Sequence, residues 1–166
     1  MPDLNPHHLQ QVMHCINTAP FFRHLSMRVT RLEKGLSEVS ARLSTVHINP
    51  FGGLHGGVFS SLIDTAAYWS AYCDIAEDQG LVTIDLKVDL LRPVSGKQVK
   101  TVGTLIKTGK TLFLTQAQML DDAGKTLAHG TSKLLVTRNK QTISDVVDFT
   151  GAAPMPPKFV KLSHAV

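Results

Sequence analysis

Cysteine is nearly missing from this chain, which holds only Cys15 and Cys73 in 166 residues. The two are far apart with no CxxC neighbour, so neither a disulfide framework nor a thiolate zinc site is indicated, and a reducing cytoplasm is the simplest home. No metal site and no redox cofactor is expected. Runs of lysine and arginine are also absent. The net charge of +4 and pI near 9.2 come from scattered residues without interleaved aromatics, which argues against nucleic acid as a partner. A mild positive balance suits an anionic small ligand equally well. The longest apolar run, Val58 to Cys73, falls short of the ~20 residues of a membrane span and carries Asp64, so no membrane partner is expected. The start, Met1-Pro2-Asp3-Leu4-Asn5-Pro6, has neither the basic residues nor the apolar core of a signal peptide. Internal repeats and low-complexity tracts are missing too.

What is present is ample apolar material, 43% of the chain, enough for the core of one ordinary domain. After Asn5-Pro6, Leu9, Val12, Met13 and Ile16 recur at helical spacing, predicting a short amphipathic helix that covers an edge. Met27–Leu32 and Leu36–Leu43 flank Glu33-Lys34-Gly35 and read as a hairpin. Val82, Ile84, Leu86, Val88 and Leu90 alternate with polar residues in the clearest strand, which Arg92-Pro93 ends. Further strands are predicted over about 98–107, 111–120 and 126–137, joined by short links that imply antiparallel neighbours. The expected class is therefore α+β, with about six strands curved around one buried helix. The boundaries expected are 1–24 for an N-terminal helical segment, 25–138 for the main domain, and 139–166 for a proline-bearing stretch that is an arm or disordered.

Two features of the buried helix carry chemistry. The first is Asp64, because a carboxylate two turns into an apolar helix is costly to bury unpaired and must be hydrogen-bonded, protonated or kept for a wet cleft. The second is the start of the helix at Gly56-Gly57, where bare N–H groups at the positive end of the helix dipole can stabilise negative charge developing on a carbonyl oxygen. A tight turn under a packed sheet is an equal reading of the two glycines. Asp64 follows Gly57 by seven residues, or about 10 Å along the axis. One acyl carbon cannot touch both, so a shared reaction requires Asp64 from a second copy of the chain, antiparallel across a two-fold axis.

Asn49, Gly53-Leu54-His55-Gly56-Gly57, Leu62-Ile63-Asp64, Val82-Thr83-Ile84-Asp85-Leu86 and Leu91-Arg92-Pro93 occur in this order. Together they resemble the hotdog-fold acyl-CoA thioesterases of the phenylacetate-degradation (PaaI) type, in the 4-hydroxybenzoyl-CoA thioesterase-like superfamily, over about residues 25–137. The resemblance implies a thioesterase domain over 25–138 that hydrolyses an acyl-CoA to free acid and CoA. Asp64 would be the general base or nucleophile, and the Gly57 N–H would polarise the thioester carbonyl. Asn49 would orient the water or the carbonyl, and His55 would hold the loop by hydrogen bonds. Thr83 would position the water, which strict strand alternation allows only with a bulge there or with a channel along a dimer seam. Lys107-Thr108-Gly109-Lys110-Thr111-Leu112 resembles the hairpin that grips coenzyme A, and its glycine turn between two lysines makes a small basic nest. Coenzyme A would enter only as part of substrate and product, and the assembly would be a homodimer or a dimer of dimers. Phe51, Phe59 and Leu62 are expected to wall the acyl pocket.

Two alternatives share the fold, since fold does not fix function. One is a non-hydrolytic acyl-CoA binding or sensing protein, against which the retained Asp64 argues. The other is a hotdog enoyl-CoA hydratase or dehydratase, which pairs a catalytic His with Asp or Glu. His55 and Asp64 of one chain are too far apart along the helix for that pairing.

Overall fold

The computed structural model describes residues 3–160. Residues 1–2 of the expected N-terminal segment and 161–166 of the expected arm lie outside the described residues. In chain order the elements are β1 (Asp3–Leu4), α1 (Pro6–Asn17), α2 (Pro20–His24), β2 (Met27–Glu33), β3 (Leu36–Arg42), α3 (Gly56–Ser70), β4 (Gln79–Leu90), β5 (Gln98–Lys107), β6 (Leu112–Leu120), β7 (Thr126–Arg138), α4 (Ile143–Thr150) and β8 (Phe159–Val160). Six strands form one antiparallel sheet in the order β2-β3-β5-β6-β7-β4, and β1 pairs separately with β8. The α+β layout expected from the sequence is the one the chain adopts.

Helix α3 lies against the sheet because small residues open a trough for it. Ser37, Gly103, Ala117 and Gly130 sit side by side across β3, β5, β6 and β7. A Cβ at Gly103 would collide with the Ala66 carbonyl of α3, and one at Gly130 would meet Ile63. The Ser37 hydroxyl donates to Ala66 O at 2.6 Å, which ties the helix to the floor of the trough. Leu62, Ile63, Ala66 and Ala67 are accordingly almost fully buried. The helix starts two residues before the predicted Val58 and ends at Ser70, with a short 3-10 turn over Tyr72–Asp74 completing the run.

The two edges of the sheet differ. At β2 the Asn17 side chain substitutes for a strand, donating to Val29 O at 2.9 Å and accepting from Val29 N at 2.8 Å. This is how α1 covers an edge, the role expected of it. The β4 edge has no neighbouring strand among the described residues.

Strand β4 departs from simple alternation. Its register against β7 shifts between Thr83 and Asp85, so Ile84 is an inserted residue at a bulge. Leu81 and Thr83 face α3 before it and the half-buried Leu86 and Val88 after it, while Ile84 is 52% exposed. A regular strand would have turned Asp85 and Lys87 toward the helix. The strand also begins at Gln79, through the expected breaker. Gly80 is tolerated there because the backbone of Lys140 and Gln141 crosses so close that a Cβ would collide with it.

The C-terminal segment is ordered over its described part and carries a helix, where the sequence suggested an arm or disorder. Thr142 and Asp145 cap α4 reciprocally and Gly151 ends it in the left-handed region at φ 64°. Lys158 then plunges inward, 1% exposed, and donates to Tyr72 O at 2.6 Å and Ile75 O at 2.7 Å. Its ammonium also stands 4.1 Å from the centre of the Tyr72 ring. His8 adds a second staple. Its Nδ1 lies 2.6 Å from Pro156 O, which can only accept, so Nε2 accepts from the Tyr72 hydroxyl at 2.6 Å. Polar contacts of this kind leave no apolar periodicity for a sequence reading to detect.

No helix among the described residues is long and apolar enough to cross a membrane. Nor do the described residues cluster three His, Cys, Asp or Glu side chains fit to hold a metal ion.

Candidate active site

Asp64 projects from the middle of α3 into a cleft of about 440 Å³ shared with Phe21, Phe22, Ser60, Ser61, Tyr68, Trp69 and Leu86. Thr83 points at it from the same face of β4 as Leu81, just ahead of the bulge, and the Thr83 hydroxyl donates to Asp64 Oδ1 at 3.0 Å. Burial pushes the Asp64 pKa above its ordinary value, while the Thr83 hydrogen bond pulls it back down. One turn later, Tyr68 is pushed up to about 12 by burial and by the charge of Asp64. Its hydroxyl donates to Leu81 O at 3.1 Å, so the phenol is a neutral wall of the cleft. The expected walls Phe59 and Leu62 instead belong to the core at 4% and 1% exposure, and Phe51 stands 95% exposed on the loop. A Phe at that loop position packs against nothing in its own chain, and the periodicity of α3 turns Phe59 and Leu62 to the sheet. The aromatic pair Phe21-Phe22 on α2 lines the cleft instead.

The helix tip forms a second group. His55 is the N-cap of α3: its carbonyl accepts from Val58 N and its Nδ1 accepts from Gly57 N, both at 2.9 Å. The Gly57 N–H expected to polarise a carbonyl is thus held by His55 in this chain. An N–H donor on Nδ1 fixes the neutral ring as the Nε2–H tautomer, with that proton free to donate. A side chain at Gly57 would press on the His55 ring at 3.0 Å, so the two residues are fitted to each other. Asn49 holds the loop before the tip, its Oδ1 accepting from Phe51 N at 2.9 Å and Gly53 N at 3.1 Å. Its amide nitrogen keeps its donors. His47 is fully buried, with Nε2 at 2.9 Å from Leu25 O and Nδ1 accepting from Ser44 N at 2.9 Å, a loop anchor.

The structure therefore brings Asp64 to Thr83, and Gly57 to His55, but leaves the two pairs two turns apart on one helix. The Lys107–Leu112 hairpin forms a third group, an exposed cleft of about 400 Å³ that also includes Lys133. Lys133 was missed by sequence reasoning because it sits mid-strand, far along the chain from the turn, and it is paired with Asp85 at 2.7 Å. Pairing places the hairpin on the same level as the carboxylate, since Thr83 is opposite Leu134 and Leu134 opposite Phe113. Two strand spacings of ~4.8 Å separate those ends. Tyr68 was missed as well, although its i+4 spacing from Asp64 carried the signal.

A single helix bedded in a six-stranded antiparallel sheet, with its carboxylate in a cleft and its glycine tip at the end of a loop, is the hotdog architecture. Among solved structures, the thioesterase HI1161 from Haemophilus influenzae superposes with a TM-score of 0.75 at 21% identity, covering 84% of this chain and 97% of that one. A thioesterase family protein from Silicibacter pomeroyi gives 0.71 at 24% identity, covering 79% and 98%. The family model of the thioesterase superfamily matches residues 51–128. Relatives include the medium/long-chain acyl-CoA thioesterase YigI of Escherichia coli K12, 26% identical over 132 residues, 70% of this chain and 85% of that protein. Human acyl-coenzyme A thioesterase 13 is 25% identical over 126 residues, 74% and 89%.

Proposed function

We propose that this protein hydrolyses acyl-CoA thioesters at sites shared between two copies of the chain. The observation that carries the reading is the Asp64–Thr83 pair: a half-buried carboxylate of raised pKa, oriented by a hydroxyl, at the mouth of an apolar cleft. A general base works best when its pKa is drawn toward the working pH. The names of the relatives support the substrate class.

The thioester carbonyl oxygen meets the α3 tip of one copy, and Asp64 of the other faces the acyl carbon. Ionised Asp64 takes a proton from a water held beside Thr83, the hydroxide adds to the carbon, and the negative charge moves onto the oxygen at the tip. That oxygen takes over the Gly57 N–H as the exposed His55 ring turns aside, with His55 Nε2–H and the Asn49 amide as further donors. The C–S bond then breaks, and the proton on Asp64 passes to the departing thiolate. Direct attack by Asp64 would give a mixed anhydride, and single turnover in ¹⁸O-water distinguishes the routes by label found in Asp64. Lys107, Lys110 and the backbone of Thr108, Gly109, Thr111 and Leu112 receive the phosphates of coenzyme A.

The open β4 edge and its neighbourhood support the second copy. Ile84, Leu90, Leu91 and Phe51 are all more than half exposed, and self-pairing of β4 about a two-fold axis would satisfy the bare strand edge. The cleft around Asp64 contains no histidine, which disfavours the hydratase chemistry. Release of free thiol from a panel of acyl-CoAs, with Asp64→Asn reducing turnover by at least ~100-fold, is the expected result. Tight binding without thiol release would favour the sensor, and hydration of a conjugated enoyl-CoA followed by absorbance would favour the hydratase.

A further inference from the structure

Beyond the Asp64 cleft lies a second apolar cavity of about 490 Å³, which the reaction as described does not use. A water occupies ~30 Å³ of liquid, so the space holds many methylenes. Its walls include Ile16 of α1, Phe22 of α2, Tyr68 and Trp69 of α3, and Val146 and Phe149 of α4. Phe22, Tyr68 and Trp69 also line the Asp64 cleft, so the two hollows share a wall. Asp64, Tyr68 and Tyr72 recur at one-turn intervals, which lays the path alongside the C-terminal half of α3 for roughly 12 Å.

Several polar groups of the cavity are already engaged. Thr142 and Asp145 cap each other, and Gln79 Oε1 accepts from Ala76 N at 2.9 Å. An apolar guest suits such walls better than a polar one. The outer wall is α4, which lies outside the 51–128 family match. No residue of α4 is fully buried, and Phe149 is 76% exposed at the rim. A guest in the cavity would cover that ring.

We propose that this cavity receives the distal part of the substrate's acyl chain, threaded past Phe22 and Tyr68, so that α4 sets the preferred chain length. The inference rests on the acyl-thioester reading above and adds medium to long alkyl chains as the substrate class. The carboxylate, the cavity and α4 belong to one copy, so the acyl group stays with the protomer that supplies Asp64.

The test uses two measurements on the full chain. Trp69 is the only tryptophan and lines both hollows, so its fluorescence reports occupancy by non-hydrolysable alkyl-CoA thioethers. Affinity is expected to rise about fourfold for each added methylene that enters, from ethyl through dodecyl, and to shift the Trp69 emission as it does. Hydrolysis is followed in parallel with acetyl-, hexanoyl- and dodecanoyl-CoA. Val146→Phe, which fills the cavity, is expected to lower kcat/KM for dodecanoyl-CoA at least tenfold and leave acetyl-CoA within twofold. Phe149→Ser, at an exposed position that folding does not depend on, is expected to weaken only the longer thioethers. Thioether affinity independent of chain length, or equal losses at all lengths in Val146→Phe, overturns the proposal even if thiol is released. Length-dependent binding with no thiol release from any acyl-CoA leaves the cavity assignment standing and overturns the hydrolytic reading instead.

Discussion

Burial disfavours the ionised form of Asp64, the form that the proposed reaction requires. Its pKa is raised from the ordinary 3.8, so as pH climbs the unfolded chain gives up this proton first and the fold loses stability until the folded carboxyl has ionised too. Above that point the penalty is complete. Asp64→Asn removes it, and thermal melts are expected to show the variant above wild type at pH 7, with no gain at pH 3, while turnover is lost. Thr83 acts on the same equilibrium in the opposite sense, since its hydroxyl stabilises the ionised form. In Thr83→Val the acid limb of the kcat/KM profile should move to higher pH, because the free enzyme's base then holds its proton longer. An unmoved limb would mean that another group sets it.

Elements were legible in the sequence where one face is apolar and obscure where contacts are polar. The six strands and α3 followed from periodicity, because each buries one face. The bulge in β4 was only a condition for Thr83 to reach Asp64, since Val82, Ile84, Leu86 and Val88 read as a single face although Ile84 is the inserted residue. Asp64 stood out as an acid in an apolar helix, but His55 as the cap of that helix was legible only as a loop residue. The tail looked loose because its anchors are Lys158, His8 and a capping box. Lys158 is pulled down to about 8 by burial, yet two carbonyls and an aromatic face hold it. Lys158→Met leaves both carbonyls unpaired, and urea melts should register a loss of about 2 kcal/mol, with faster proteolysis between 139 and 157. Packing against the sheet is less forgiving: Gly103→Ala drives a methyl into the Ala66 carbonyl, and a loss of about 3 kcal/mol is expected from the same melts.

At the scale of the whole molecule, the proposed reaction divides each centre between two copies of the chain. Chains bearing Gly57→Pro lack the amide at the tip, and chains bearing Asp64→Ala lack the carboxylate. Mixed and allowed to exchange, they should recover activity approaching a quarter of wild type, because half of the dimers are then heterodimers and each has one intact site. Exchange verified by mass, with no recovered thiol release, would count against sharing.

The trough of Ser37, Gly103, Ala117 and Gly130 fixes how such a protein can diversify. A helix bedded at its midpoint cannot slide to accommodate a larger or smaller guest, and its carboxylate lies two residues from the bedding point. On the proposed reading, new preferences are written at the periphery, in the short helix bearing Phe21 and Phe22 or the late one bearing Val146, while Asp64 stays still.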